Sequence, residues 1–390
     1  MKIIKVGFLL NLSYSWMGEI NYIKSILNVL NKYEENSIHP IVFFPTNVDS
    51  KIKSDFEELS EIKTTSLLTK GSFHYFLWRA TRKLFNSDFY IELILSEFNI
   101  DIFSHSTLIG LNKSKTINWI PDFQHNRLPQ MFKENEVQLR NKSIINILKK
   151  SNRIILSSND AKNDLINYFG DFYNQKIDVL EFVSIVKKYN LQNQQNLKQI
   201  ITKYNINDNF FLLPNQFWKH KNHLVVFESM LLLKNKGIEV NLVCTGLLDD
   251  YRNKNYSNSI LNYIKDNQIN VHMLGLIDYD DLIILIKNSI AVINPSLFEG
   301  WSTIVEECKT LGKNMIISDI PIHREQNPSN TLYFDPNQPK ELADVLEAYI
   351  LDQKNYKNLY DENEYYKFNN MRQSDFAKKY KTTLIKALKN

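Results

Sequence analysis

The stretch NPSLFEGWSTIVEECKTLGKNMIISDIPIHREQ, Asn294 to Gln326, decides how the rest of the chain is read. An apolar run, Ile290 to Ile293, reaches Pro295 and stops. Glu299-Gly300-Trp301 makes a loop, and Ser302-Thr303 stands where a helix should begin. Thr303 and Glu306 have capping-box spacing, in which each side chain satisfies an orphan amide of the other. Ile304, Cys308 and Leu311 fall on one helical face. Gly312 ends the helix, and Met315-Ile316-Ile317 reads as the next buried strand. The pattern is a strand–loop–helix–strand unit of a parallel α/β sheet.

A helix N-terminus preceded by glycine offers free N–H donors and a positive dipole end to an anion. Two carboxylates flank this one, Glu299 in the loop and Glu307 in the helix. Carboxylates accept bonds from sugar hydroxyls, and the amides of Gly300, Trp301, Ser302 and Thr303 suit a phosphate. Phosphate with two sets of hydroxyls describes a nucleotide-sugar. A solvated Glu307 and a plain loop Glu299 are the bland alternative.

Working outward, 390 residues suit two domains of similar size. A net charge of +4, with both signs mixed along the chain, gives no argument for nucleic acid. The two cysteines, Cys244 and Cys308, sit in apolar settings and read as buried thiols of a reducing compartment. No Cys/His spacing suits a metal. The chain enters a strand at Ile3 without the layout of a signal peptide, and the apolar run Leu282 to Val292 is cut by Lys287 and Asn288. The expectation is a cytoplasmic enzyme, peripheral at most on the inner face of a membrane.

In the first half, strands are expected at Ile3–Leu10, Ile41–Phe44, Thr64–Leu68, Ile102–Phe103, Thr116–Trp119, Ile154–Ser157 and Ile177–Leu180. The loop Asn11 to Gly18 leads to a helix over Glu19–Tyr33 with the stripe Ile20, Ile23, Leu27 and Leu30. A helix is expected over Asp49–Glu61. His74 to Phe85 is basic and aromatic, with Phe76, Leu77, Ala80 and Leu84 on one face. It reads as a core helix or as a surface for anionic lipid. Arg140 to Arg153 carries five cations and no acid, and reads as a basic amphipathic helix or a solvated domain face. Asp122, His125 and Arg127 cluster directly after a parallel strand, where such sheets bind ligands.

The polar, Asn- and Gln-rich stretch Ser184 to Asn196 is the expected interdomain connection. Beyond it, Phe210–Leu213 restarts the sheet. Lys219-His220-Lys221 precedes a helix from about Leu224 to Lys236 and suits a diphosphate. Strands follow at Val240–Cys244, Val271–Leu274 and Thr331–Phe334, helices at Ser257–Lys265, Asp280–Lys287 and Pro339–Leu351, and a basic helical tail at Phe376–Leu388.

The segment Pro295-Ser296, Glu299-Gly300-Trp301-Ser302, with Glu307 eight positions after Glu299, resembles the signature of retaining glycosyltransferases of family 4. Gly312, Ser318-Asp319 and Glu325 continue the likeness. Trp301 replaces the usual aromatic and Ser302 the usual second glycine. Lys221-Asn222 matches the family's Lys-Asn, while Gln216 stands at its arginine, losing a charge that Lys219 or His220 would have to supply. Gly18 is kept from a Gly-Gly pair whose second member is here Glu19, which either caps its helix or meets acceptor hydroxyls. Asp122 matches the Asp of a His-Asp pair, with Pro121 at the His position, so that Asp122 or His125 would face the sugar or acceptor.

The resemblance implies the GT-B fold, two Rossmann-like parallel-sheet domains facing across a cleft. The domains would be residues 1–185 for the acceptor, 186–370 for the nucleotide-sugar, and a tail 371–390 crossing back. It implies that Lys221 holds the leaving diphosphate, Glu307 the ribose, Glu299 the transferred sugar, and the backbone around Leu276 the base. The donor would be GDP- or UDP-linked, with no cofactor or metal, because helix amides and a lysine replace the cation. The acceptor would be a glycan or a polyprenyl-diphosphate-linked saccharide. Rival readings are a nucleotide-sugar epimerase on the same fold, a non-catalytic sugar-nucleotide-binding protein, and a dehydrogenase disfavoured by the missing G-x-G-x-x-G.

Overall fold

The computed structural model describes residues 2–12, 17–186, 194–250, 252–253, 255–352 and 362–389. The chain divides into two units, Met1–Val183 with Asn370–Asn390, and Ser184–Asn369. The expected connection at Ser184–Asn196 lies largely outside the described residues, as does half of the Asn11–Gly18 loop.

Short apolar strands alternating with helices build a parallel sheet in each unit, since a parallel crossover needs a helix on the sheet face. In the first unit, β1 (Ile4–Leu9), β2 (Ile38–Pro45), β3 (Glu61–Thr65), β4 (Ile102–Ser106), β5 (Lys115–Ile120), β6 (Arg153–Leu156) and β7 (Ile177–Val179) stand in the order β3-β2-β1-β4-β5-β6-β7. In the second, β8 (Phe211–Pro214), β9 (Leu242–Thr245), β10 (Val271–Met273), β11 (Val292–Asn294), β12 (Met315–Ser318) and β13 (Thr331–Phe334) stand in the order β10-β9-β8-β11-β12-β13. Both are Rossmann-like, and together they are a GT-B fold. Strand order reverses between β1 and β4, and again between β8 and β11, where Leu212 is in register with Val292. Loops leaving such a reversal run apart and open a crevice at the strands' carboxyl ends.

The core follows from alternation. Phe211, Leu213 and Ile293 pack on one face of the second sheet with Val226, Phe227, Leu342 and Leu346. Their neighbours Leu212 and Val292 face the other way, with Ile286, Val305 and Cys308. Each such side chain contributes about 1.5–3 kcal/mol on burial. Both cysteines are buried free thiols. The stripe Ile20, Ile23, Leu27 and Leu30 is buried on the Met17–Tyr33 helix. From Asn370 on, the helix Glu362–Lys389 belongs to the first unit. There Tyr380 donates to Ser104 Oγ at 2.7 Å, and Lys386 pairs with Asp178 at 2.7 Å.

Three expectations are corrected. The second helix ends at Glu57, capped at its start by Asp49, because Glu61 already pairs with Ile41 as the first residue of β3. Leu67 and Leu68, expected in that strand, instead fill the core from the turn that follows it. The Phe73–Phe85 helix has no fully buried residue, and Phe76 and Leu84 of its expected core face are 68% and 77% exposed. Polar anchors hold it instead: Trp78 donates to Asp88 at 2.6 Å and Arg82 pairs with the same carboxylate at 3.2 Å. By contrast the lysine-rich Glu134–Lys150 helix buries Ile144, Ile147 and Leu148 against the sheet.

Candidate functional site

The loops after β8 and β11, the two strands at the second sheet's reversal, carry the candidate groups. Lys219–Lys221 form a single helical turn after β8, followed by Asn222 with φ +56° and the helix His223–Asn235. The Glu299–Ser302 loop follows β11 and leads into the helix Thr303–Leu311. A main-chain bond from Leu297 N to His220 O, 2.8 Å, ties the two loops.

Lys221 and Glu299 meet. Lys221 Nζ lies 2.6 Å from Glu299 Oε1, with both side chains largely out of water. The Ser296 hydroxyl is 2.7 Å from the same oxygen and 2.8 Å from Asn294 Oδ1. It has one proton, and the charged oxygen is the stronger acceptor. Burial is the largest influence on the Glu299 carboxyl and raises it, but Lys221, His323 and the Ser296 hydroxyl together outweigh it and hold the group below its usual range. His323, within electrostatic reach, is itself kept from protonating by burial, so Lys221 is the cation that matters at neutral pH.

Sequence reasoning missed the residues that brace this pair. Asn215 donates to Asn294 at 3.1 Å, and Asn294 donates to Ser302 Oγ at 3.0 Å. The helix Pro321–Gln326 supplies His323 and Gln326. His323 Nδ1 donates to Ser318 O at 2.8 Å, which leaves Nε2 facing the Asn294 amide. Gln326 clamps the backbone of Ser302, accepting from its N–H at 3.2 Å and donating to its carbonyl at 3.0 Å. Pro321, a residue suited to the first position of a helix, was the available signal. The capping box is also corrected. Ser302 is the cap position and makes no side-chain capping bond, while Glu306 takes Lys309 at 3.0 Å and Gln326 at 3.0 Å. The Ser302 amide is therefore engaged within the protein, and Gly300, Trp301 and Thr303 are its half-buried neighbours.

Glu307 is 3% exposed, and burial pushes its carboxyl up to about 7, against the opposing hydrogen bond from the Tyr279 hydroxyl. Asp278-Tyr279-Asp280, an Asp-x-Asp spacing passed over in the sequence, is the start of the helix Tyr279–Asn288, with Asp278 at its cap. No group of three or more His, Cys, Asp or Glu among the described residues is arranged to hold a metal ion. Leu276 is 47% exposed beside Gly275, whose carbonyl accepts from Gly246 N at 2.8 Å. Gly246 has φ +118°, and a Cβ there would lie 2.4 Å from Asn215 O, so only glycine lets these two strand ends approach.

Gln216, at the position where a permanent charge was missed, accepts from Leu247 N at 2.8 Å. His220 cannot replace that charge: burial, then the nearby Lys221 and Arg252, push its ring well below the usual range. Arg252 was overlooked. Its guanidinium lies over Trp218 at 5.6 Å and 3.4 Å from His220 Nδ1. Asp250, 2% exposed, accepts from the amides of Lys219 and Arg252 and so joins both loops.

In the first unit, Gly18 and Glu19 open the helix after β1, and burial pushes Glu19 up to about 7. Asp122, His125 and Arg127 follow β5, with Asp122 within electrostatic reach of His125 and of Asp164. Asp122 accepts from Gln124 N at 2.9 Å, and buried His125 bonds Asn141 Oδ1 through Nε2 at 2.9 Å. Arg127 pairs with Asp160 at 2.6 Å and Asp164 at 2.8 Å.

Residues 194–365 match the family model of glycosyl transferases group 1. Over 208 residues the chain is 27% identical to the O-antigen chain mannosyltransferase RfbU of Salmonella typhimurium, covering 49% of this chain and 54% of that one. The chain thus spans about half the length of this curated relative. The crystal structure of Anabaena Alr3699/HepE in complex with UDP and glucose superposes with a TM-score of 0.69 at 13% identity, covering 98% of this chain and 99% of that one. A putative UDP-N-acetylglucosamine 2-epimerase from Listeria monocytogenes superposes at 0.56 with 13% identity, covering 92% and 91%. At these identities the likeness is one of fold. The family match thus lies within residues 194–365, the two sheets make the fold GT-B, and the chain resembles group 1 (family 4) glycosyltransferases, among them bacterial sugar transferases of polysaccharide assembly.

Proposed function

We propose that this chain moves a sugar from a GDP- or UDP-linked donor to a hydroxyl of a glycan or polyprenyl-diphosphate-linked saccharide, with retention of configuration. The observation that carries this is the buried Lys221–Glu299 pair at the sheet reversal, with Glu307 buried one helix turn beyond it. An arriving diphosphate takes Lys221 from Glu299. Glu299 is then released to the hydroxyls of the transferred sugar, and Glu307 accepts from the ribose. Lys221, with the helix dipole at Gly300–Thr303, stabilises the leaving diphosphate as its charge grows. Arg252 stands in for the arginine that Gln216 replaces, and the main chain at Leu276 meets the base. The acceptor binds the first unit, through Asp122 or His125 and near Gly18. No metal is required, since lysine and helix dipole serve the phosphates. The working location is the cytoplasmic side of the cell membrane.

Donor screening by thermal shift, followed by transfer assays with the binding donor, tests this, because a ligand of the native state raises its melting temperature. The product anomer, read by NMR, should match the donor, and turnover should persist in excess chelator. An inverted product overturns retention. Conversion of donor without any acceptor would instead assign the site to epimerisation, which the shared fold allows.

A further inference from the structure

We propose that the outer face of the Phe73–Phe85 helix docks on an anionic lipid bilayer. This goes beyond the transfer reaction and depends on it only for its purpose, since binding a vesicle needs no donor. The first observation is exposure. Phe73, Phe76, Leu84 and Phe85 are 70%, 68%, 77% and 63% exposed. Phe73, Phe76 and Leu84, with Ala80, fall on one side of the helix, and Arg79 and Lys83 lie beside them. Single exposed apolar residues are ordinary, whereas a row along three turns marks a contact surface.

The second observation is charge, and it selects the occupant. From Ile62 to Ser87 there is no Asp or Glu, while Lys70, Arg79, Arg82 and Lys83 are cationic, and Lys63 is paired with Glu61 at 3.1 Å. Arg82 turns inward to Asp88, and neither Arg79 nor Lys83 is ion-paired among the described residues. Beyond the helix, Asn86 and Asn146 exchange side-chain hydrogen bonds at 3.3 and 2.9 Å. That places the helix end against the Glu134–Lys150 helix, whose Lys142 and Lys149 are exposed. The whole face is therefore positive. A second copy meeting it through a two-fold axis would oppose like charges. Aromatic rings interleaved with cations suit a bilayer interface instead, with rings at the acyl boundary and cations at the phosphates. The basic Glu134–Lys150 helix cannot play the inserting part, because its apolar side is already in the core.

Co-sedimentation with phosphatidylcholine vesicles, with and without phosphatidylglycerol, tests the assignment. Binding is expected on the anionic vesicles and should fall with salt. Phe73→Ser with Phe76→Ser should lower partitioning at least about tenfold. Arg79→Gln with Lys83→Gln should also lower it about tenfold or more, on anionic vesicles only. Wild-type binding by both double variants, or no binding by the native protein, overturns the proposal. So does a native dimer that Phe76→Ser converts to a monomer, which would give the face to a second copy. Nucleoside-diphosphate binding, measured on the same variants, should be unchanged. A protein that binds anionic vesicles through this helix but no nucleotide supports the docking surface and overturns the transferase reading.

Discussion

After β5, in the first unit, Asp122, His125 and Arg127 occupy six residues at the carboxyl edge of a parallel strand, where Asp122 accepts from its own turn, His125 bonds Asn141, and Arg127 pairs with Asp160 and Asp164. After β11, in the second unit, Ser296, Glu299 and Ser302 occupy the equivalent kind of loop and bond a common centre with Lys221, Asn294 and Gln326. Topology is alike in the two places. What differs is where the polar groups aim. Hydrogen bonds sent to separate helices brace a scaffold. Hydrogen bonds closed around a buried ion pair would, on the proposed function, hold charge ready for a ligand, at a desolvation cost.

The largest effect should come from breaking the centre. Glu299→Gln should lower turnover at saturating donor by about 10²–10⁴, in the range for positioned polar groups, because the sugar changes shape toward the transition state. The pair adds a sharper expectation. With its carboxylate gone, Lys221 is unopposed, so the bare nucleoside diphosphate should bind Glu299→Gln at least as tightly as the native protein. Calorimetry and steady-state kinetics on one preparation measure both. Weaker diphosphate binding in this variant would mean that the pair holds the loop together and does not compete with phosphate.

Lys221→Ala should weaken nucleoside-diphosphate binding by about 2–5 kcal/mol, the range for a desolvated charge pair. Its partner Glu299 would be left buried and unpaired, so thermal stability should fall with it. Unchanged affinity would remove Lys221 from the phosphate.

How much of this was legible follows from the physics of each signal. The alternation of apolar strands and amphipathic helices is local, so both sheets could be read, as could Gly312 and the stripe from Ile20 to Leu30. Glu299, Glu307 and Lys221 were legible because their loops follow strands and start helices. Their mutual contact was not, since Lys221 and Glu299 are far apart in sequence and joined only by strand order. His323 and Gln326 carried no signal of their own in the sequence, and only the fold turns them inward. The Phe73–Phe85 helix was left between core and surface because periodicity reports that an apolar face exists and not whether anything covers it.

Glu307 gives a pH test of the second carboxylate. Its folded value, about 7, lies above the ordinary 4.5. The folded state therefore holds the proton more tightly. That contribution is full below about pH 4.5 and is lost as pH rises through 7, up to about 3 kcal/mol. Glu307→Gln mimics the neutral acid, so its melting temperature relative to the native protein should climb between pH 5 and 8. Some native slope should remain from Glu19, also raised to about 7. Nucleotide-sugar binding, which in this reading needs the charged carboxylate, should release a proton below pH 7 in the native protein and less in the variant. Equal proton release, measured in buffers of different ionisation enthalpy, would take Glu307 off the ribose.

The smallest effects should lie in the scattered cluster, and they decide whether it is scaffold throughout. Arg127 is partly exposed but holds Asp160 and the nearly buried Asp164 apart as charges. Arg127→Ala should cost stability by about 1–3 kcal/mol, less than a fully buried pair, and leave turnover unchanged. His125 is the sharper case, because it is 3% exposed and bonded to Asn141 through Nε2. If its part is only to hold the Gln124–Arg127 turn against the Glu134–Lys150 helix, then His125→Gln and Asn141→Ala should lower the melting temperature by similar amounts, with kcat and the acceptor KM intact. If it meets the acceptor, the two variants must separate. His125→Gln would then lower kcat/KM for the acceptor at unchanged donor affinity, while Asn141→Ala would chiefly destabilise. Burial depresses the His125 ring below its ordinary value. An acceptor-side role would therefore use the neutral ring, and the pH profile of kcat/KM should show no break between pH 6.5 and 8 that His125→Gln removes.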